Sequence, residues 1–210
     1  MRRLLVLALT ALACCALAML AACGASSDSP EAQDSTAEVV DGGAGSAADA
    51  SAGLASEEYG NLISFTGLTL DGEEVTEDIF AQADVTLINF WATYCGPCLR
   101  EMPDLAEFAE QLPGNVQFVT ACLDVGAVGV EPVEEILADA GYEGITITGG
   151  GGDFEQLIQH IQYIPTTIAF DSEGRALGSA LVGSPEDVAG AYGMIVDDAL
   201  ALTGSKDAGA

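Results

Sequence analysis

The chain has 210 residues, of which 33 are acidic and 5 basic, for a formal net charge of −28. A surface this acidic repels nucleic acid and anionic lipid head groups, so neither is an expected partner, and its ordinary use is solubility. The length allows one domain with extensions beside it.

The first 22 residues read as an export signal. Arg2 and Arg3 form a positive start, and Leu4–Ala22 is an apolar run in which Thr10 is the only clearly polar residue. The run ends Leu20-Ala21-Ala22-Cys23-Gly24, small residues ahead of a cysteine. This pattern resembles the bacterial lipobox, which implies cleavage after Ala22 and acylation of Cys23. The competing reading is an uncleaved anchor, since 19 apolar residues just reach across a bilayer. The charged start, the small residues and the placed cysteine favour the lipid anchor. Both readings put the remainder at the extracytoplasmic face of a bacterial cell membrane.

All the acids lie beyond the cut, where Arg100, Arg175 and Lys206 are the only cations. Cys14 and Cys15 leave with the signal. With Cys23 lipidated, only Cys95, Cys98 and Cys122 remain as thiols, too few for a disulfide-stapled scaffold. A close pair in an exported chain points instead to redox chemistry.

From Gly24 to about Glu58 the sequence is rich in Ala, Ser, Gly, Asp and Glu, without hydrophobic periodicity, so it is expected to be disordered. As a tether, residues 23–58 span roughly 30 Å root-mean-square. A folded domain is expected over 59–204, with a flexible tail at 205–210. Its elements begin with a strand region in Leu62–Leu70, closed by an Asp71-Gly72 turn, and a short return strand Glu74–Thr76. Val85–Trp91 is a nearly continuous apolar run, the pattern of a strand covered on both faces. Gly96–Leu112 shows a helical stripe of Leu99, Met102, Leu105, Phe108 and Leu112, ended by Pro113-Gly114. Val116–Leu123 reads as a second central strand, Val133–Ala140 as a helix closed by Gly141, and Ile145–Thr148 as a short strand.

Gly149–Gly152 reads as a mobile connection bordering the cleft; it lacks the Gly-Lys-Ser/Thr ending of a phosphate loop. Asp153 with Gln156 suggests a capping box for a helix reaching about Gln162. Thr166–Asp171 and Ala176–Val182 flank Ser172-Glu173-Gly174 as a hairpin. Ser184-Pro185-Glu186-Asp187 then suggests a serine N-cap with proline at N1 of a final helix. This order implies an α/β fold: a central mixed sheet flanked by helices on both faces, with an N-terminal β extension.

The chemistry gathers at Trp91-Ala92-Thr93-Tyr94-Cys95-Gly96-Pro97-Cys98, where a central strand meets a helix start. Cys95 caps that helix, where free backbone N–H groups and the positive dipole end stabilise a thiolate. Two intervening residues leave Cys98 within bridging distance, and Pro97 in the first turn costs no needed donor. Zinc would need two further ligands, and only Cys122 and His160 are available, neither in a paired spacing. No metal or cofactor is therefore expected.

WATYCGPC looks like the active site of the thioredoxin superfamily, and the likeness extends over Leu62–Leu202 to Ile164-Pro165-Thr166-Thr167, which is similar to that superfamily's cis-proline turn. Asn89 stands where thioredoxins have a buried Asp. Glu101, three residues after Cys98, and then Pro103 resemble the exported TlpA/ResA-like branch. The Gly-Pro dipeptide is that of thioredoxin itself. The resemblance implies a thioredoxin-like fold in which Cys95 attacks, Cys98 resolves, and Glu101 relays the Cys98 proton. It also implies a cis Pro165 packed on the pair, with the Ile164 backbone left to pair with substrate. Trp91 and Tyr94, with Gly96 and Pro97, would form the substrate-facing rim, although core packing accounts for Trp91 nearly as well. A surface role, or pairing with Arg100, is the alternative for Glu101. Cys122 reads as a buried small hydrophobe and His160 as a helix-surface residue.

The implied activity is a disulfide reductase acting on exported protein disulfides, kept reduced by a membrane electron donor or a thioredoxin-like reductant. A thiol oxidase would use the same residues. A copper-binding metallochaperone using Cys95, Cys98 and His160 is a competitor of a different class.

Overall fold

The apolar run VTLINFW is buried along its whole length, as a strand with two covered faces must be. The computed structural model describes residues 54–204, all within one unit spanning Gly45–Ala210, and sets this run inside a seven-stranded mixed sheet. The chain enters through the short helix α1 (Leu54–Glu58) and then makes the antiparallel pair β1 (Phe65–Thr69) and β2 (Glu74–Thr76). A 3-10 segment, Glu77–Gln82, leads to β3 (Val85–Trp91), α2 (Gly96–Glu110) and β4 (Val116–Cys122). The short α3 (Val125–Val128) and α4 (Glu131–Ala140) precede β5 (Thr146–Gly152) and α5 (Asp153–His160). A hairpin of β6 (Thr166–Asp171) and β7 (Ala176–Val182) and the helix α6 (Val188–Thr203) complete it.

The strand order is β2-β1-β5-β4-β3-β6-β7. β3 pairs in parallel with β4, from Val85 opposite Val116 to Trp91 opposite Cys122, and antiparallel with β6 on its other edge. The strand alternation sorts the core into two layers. Val85, Leu87 and Trp91 pack with Met102 and Leu105 of α2, Leu137 of α4 and Tyr192 of α6. Ile88 and Phe90 face the other way, onto Ala55, Tyr59, Phe65, Phe154 and Phe170. Each such buried large side chain contributes about 1.5–3 kcal/mol of transfer free energy. Helices on both faces of a mixed sheet, with a β extension at the N-terminal side, are the expected class.

Four local readings change. Residues 54–58 are helical rather than disordered, because Ala55 and Tyr59 bury themselves under the sheet and draw this stretch into the core. Gly149–Gly152 is not a connection bordering the cleft but the second half of β5, paired antiparallel with β1. Close approach explains the glycines: a Cβ on Gly150 would lie 2.4 Å from the Thr66 carbonyl oxygen, and one on Gly152, at φ 69°, 2.6 Å from that of Ser64.

Asp153 is not a capping-box residue; its carboxylate accepts instead from the Ile63 and Ser64 N–H groups at 3.1 and 2.8 Å. The last helix starts at Val188, capped by Asp187, which accepts from the Gly190 N–H at 2.9 Å, so Ser184 and Pro185 stay in the preceding loop. The expected signal (1–22), Cys23, the tether as far as residue 53 and the tail at 205–210 lie outside the described residues. Among the described residues, no helix is long and apolar enough to cross a membrane.

Candidate functional site

Cys95 is the N-cap of α2, in extended conformation, and its Sγ accepts from the Cys98 N–H at 3.2 Å. Pro97 sits in the first turn, where it displaces no helical hydrogen bond. Cys95 and Cys98 form a disulfide across a Cα–Cα separation of 5.3 Å. The two are unequal: Cys95 is 6% exposed and Cys98 0%. The strand end that delivers them is held by Asp124, whose carboxylate accepts from the Thr93 N–H at 3.0 Å and the Thr93 hydroxyl at 2.6 Å. Desolvation works against the Asp124 charge, but the Thr93 hydrogen bonds outweigh it and hold the carboxyl below its usual range.

The Ile164-Pro165 peptide is cis. Cys95 Sγ lies 3.6 Å from the Ile164 carbonyl oxygen, a contact across which the reduced thiol can donate. Beside the disulfide is a groove of about 440 Å³, with Pro97, Arg100 and Glu101 on α2 and Ile164, Pro165 and Ser184 among its other lining residues. Gly96 is exposed at the helix start and Tyr94 is 78% exposed next to the pair. Trp91 departs from the expected rim: it is wholly buried in the α2 side of the core and lines no part of the groove. The side chains packed on this face of the sheet from α2, α4 and α6 cover the indole completely.

Glu101 is buried rather than a surface residue, at 2% exposure. The Asn89 side-chain N–H lies 3.4 Å from its Oε1. Desolvation pushes its carboxyl above the ordinary carboxylate range; Ser184, Asn89 and Tyr192 oppose this and the nearby Asp104 adds to it. Oε2 has no partner within hydrogen-bonding geometry.

Cys122 is buried, with its Sγ 3.2 Å from Asp124 Oδ1, and desolvation first of all pushes its thiol up to about 12. His160 is exposed and lines a separate hollow with Tyr59 and Gln156, so the structure does not bring it to the cysteine pair. No group of three or more His, Cys, Asp and Glu side chains among the described residues is arranged to hold a metal ion. Sequence reasoning missed Thr167, Tyr192 and Ser184 around Glu101, and the exposed Tyr163 beside the cis-proline turn. The available signal was the placement of Thr167 two residues after Pro165.

Residues 44–195 match the family model described as Redoxin. The chain belongs to the redoxin family. Over 46 residues this redoxin is 44% identical to the thiol:disulfide interchange protein DsbE homolog of Paracoccus denitrificans (strain Pd 1222), covering 21% of this chain and 26% of that one. Over 107 residues it is 25% identical to sporulation thiol-disulfide oxidoreductase A of Bacillus subtilis (strain 168), covering 50% and 63%. The redoxin chain thus spans less than two thirds of the length of these curated relatives.

Among solved structures, a thiol:disulfide interchange protein of the thioredoxin family from Chlorobium tepidum TLS superposes with a TM-score of 0.53 at 23% identity, covering 67% of this chain and 95% of that one. This likeness is one of fold. Together with the family match, it bears out the expected thioredoxin-like fold.

Proposed function

We propose that this redoxin is an extracytoplasmic thiol–disulfide oxidoreductase that reduces disulfides of exported proteins through Cys95 and Cys98. The observation that carries this reading is the asymmetry of the pair: Cys95 caps a helix beside an open groove, and Cys98 is fully buried, one helical turn before the buried Glu101. In the dithiol form the helix N-terminus favours a Cys95 thiolate. That thiolate attacks one sulfur of a client disulfide, forming a mixed disulfide and expelling the first client thiolate. Cys98 passes its proton to Glu101 and attacks Cys95 Sγ, which closes the Cys95–Cys98 bond and releases the second client thiolate. Two electrons pass from the protein dithiol to the client. A membrane electron donor or a thioredoxin-like reductant restores the dithiol.

Tyr94, Gly96, Pro97, Ile164 and Pro165 present the client-facing surface in this reading, and Trp91 supports the strand beneath it. Acylated Cys23 and the tether as far as residue 53 hold the domain at the outer face of the cell membrane. The full-length chain is expected to catalyse dithiothreitol-driven reduction of insulin, with at least a hundredfold loss in Cys95→Ser; unchanged activity in that variant overturns the mechanism. A midpoint potential near about −270 mV supports the reductase direction, and one near about −120 mV makes the protein a thiol oxidase.

A further inference from the structure

The buried polar cluster behind Glu101 extends to the last helix. Asn89 of β3, Glu101 of α2, Thr167 of β6 and Tyr192 of α6 meet there, all buried, with Tyr192 1% exposed. Asn89 Nδ2 lies 2.9 Å from Thr167 Oγ1, 3.1 Å from the Tyr192 hydroxyl and 3.4 Å from Glu101 Oε1. The Thr167 and Tyr192 hydroxyls are 2.9 Å apart, and either can donate. The tyrosine ring packs against Phe108 and Phe118, at centroid distances of 5.7 and 6.0 Å, so its hydroxyl is held in place.

An amide nitrogen carries two protons, and here three oxygens surround it. When Asn89 serves Thr167 and Glu101, the Thr167 proton can turn to Tyr192, and the Tyr192 proton is then free for the Glu101 carboxylate. When Glu101 is protonated, the Tyr192–Thr167 bond can reverse its direction. The two hydroxyls can therefore follow the charge of the acid. Burying polar groups beside the orphaned Asn89 Oδ1 and Glu101 Oε2 opposes folding, which weighs against a purely structural purpose.

We propose that Tyr192 is the positioning residue of the acid: braced by Thr167 and joined to the Glu101 carboxyl through the shared Asn89 amide, its hydroxyl sets the pH range over which that carboxyl takes the Cys98 proton. This rests on the reading of Glu101 as the acceptor of that proton. The Cys98 S–H gives its proton to the carboxylate, the new thiolate forms the bond to Cys95 Sγ as the client thiolate leaves, and the proton escapes to water through the groove that Glu101 lines. The titratable and charged groups around the acid are Asp104 and Arg100 on its own helix, Tyr192 on α6, Glu186 across the groove and the cysteine pair one turn back. The tyrosine hydroxyl favours the ionised carboxylate against desolvation, so its removal moves the acid limb of activity to higher pH.

The test is the pH–rate profile for reduction of a small disulfide by the reduced full-length chain. Tyr192→Phe is expected to move the limb up by about half to one pH unit, the worth of one hydrogen bond. Thr167→Val, which removes the brace and keeps the shape, moves it the same way by less and serves if Tyr192→Phe does not fold. Glu101→Gln abolishes the limb, and adding Tyr192→Phe to it changes nothing further. A limb lost in Glu101→Gln but unmoved in both hydroxyl variants overturns the role of Tyr192 alone. A limb that survives Glu101→Gln overturns the reading of Glu101 and the role of Tyr192 with it.

Discussion

The buried residues at this site differ in what pH does to them. Desolvation holds the Glu101 carboxyl above its ordinary value of 4.5, so between that value and its folded pKa the native state keeps a proton that the unfolded chain has released. Stability from this group is fully present below pH 4.5 and is lost as pH rises through the folded value. Urea unfolding of wild type against Glu101→Gln, from pH 4 upward, should show the variant gaining relative stability as pH rises; a constant difference contradicts the burial of the acid. Cys122 is closed off in another way, by burial that drives its thiol to about 12. Iodoacetamide on the reduced native protein at pH 8 should label Cys95 and leave Cys122 unmodified until denaturant is added, as read by peptide mass spectrometry. Early labelling of Cys122 would count against its place in the core.

At the scale of elements, the junction of β3 with α2 was legible because its determinants are neighbours in the chain: an apolar run, a capping cysteine and a proline in the first turn. The glycine half of β5, Gly149–Gly152, was not, because glycine carries no pattern and these residues are drawn into the sheet by β1, some eighty residues earlier in sequence. A contrast of single substitutions checks that account. Gly150→Ala drives a Cβ into the Thr66 carbonyl and is expected to cost about 2 kcal/mol by overpacking. Gly149→Ala meets nothing within 4 Å and is expected to be close to neutral. Equal urea midpoints for the two variants would contradict the close β1–β5 approach. The caps show the same distinction. Asp153 had a plausible local partner in Gln156, yet its carboxylate is used by Ile63 and Ser64 N–H groups from the start of the domain. Asp187, not Ser184, closes the last helix, and Ser184 is left to line the groove.

At the scale of the whole molecule, the proposed lipid anchor at Cys23 is what would set where the chemistry takes place. Cys23→Ser in the full-length chain should release the protein from the membrane fraction into the soluble exported fraction while leaving insulin reduction intact. Continued membrane association in that variant would favour the uncleaved apolar anchor.

The sequence by itself determined the close cysteine pair, its strand-to-helix setting and the fold class, because those signals are local or repeat at the period of a helix or strand, whereas Glu101 entered only through the family resemblance. Only the tertiary structure decided that Trp91 is sealed from the groove, that α1 joins the core and that the glycine run is a strand. It also decided that Asn89, Thr167 and Tyr192 meet at Glu101, from positions separated by 78 and 103 residues. The physical reason is the same in each case: a buried polar or glycine position takes its meaning from the group opposite it, and the sheet, not the chain, chooses that group.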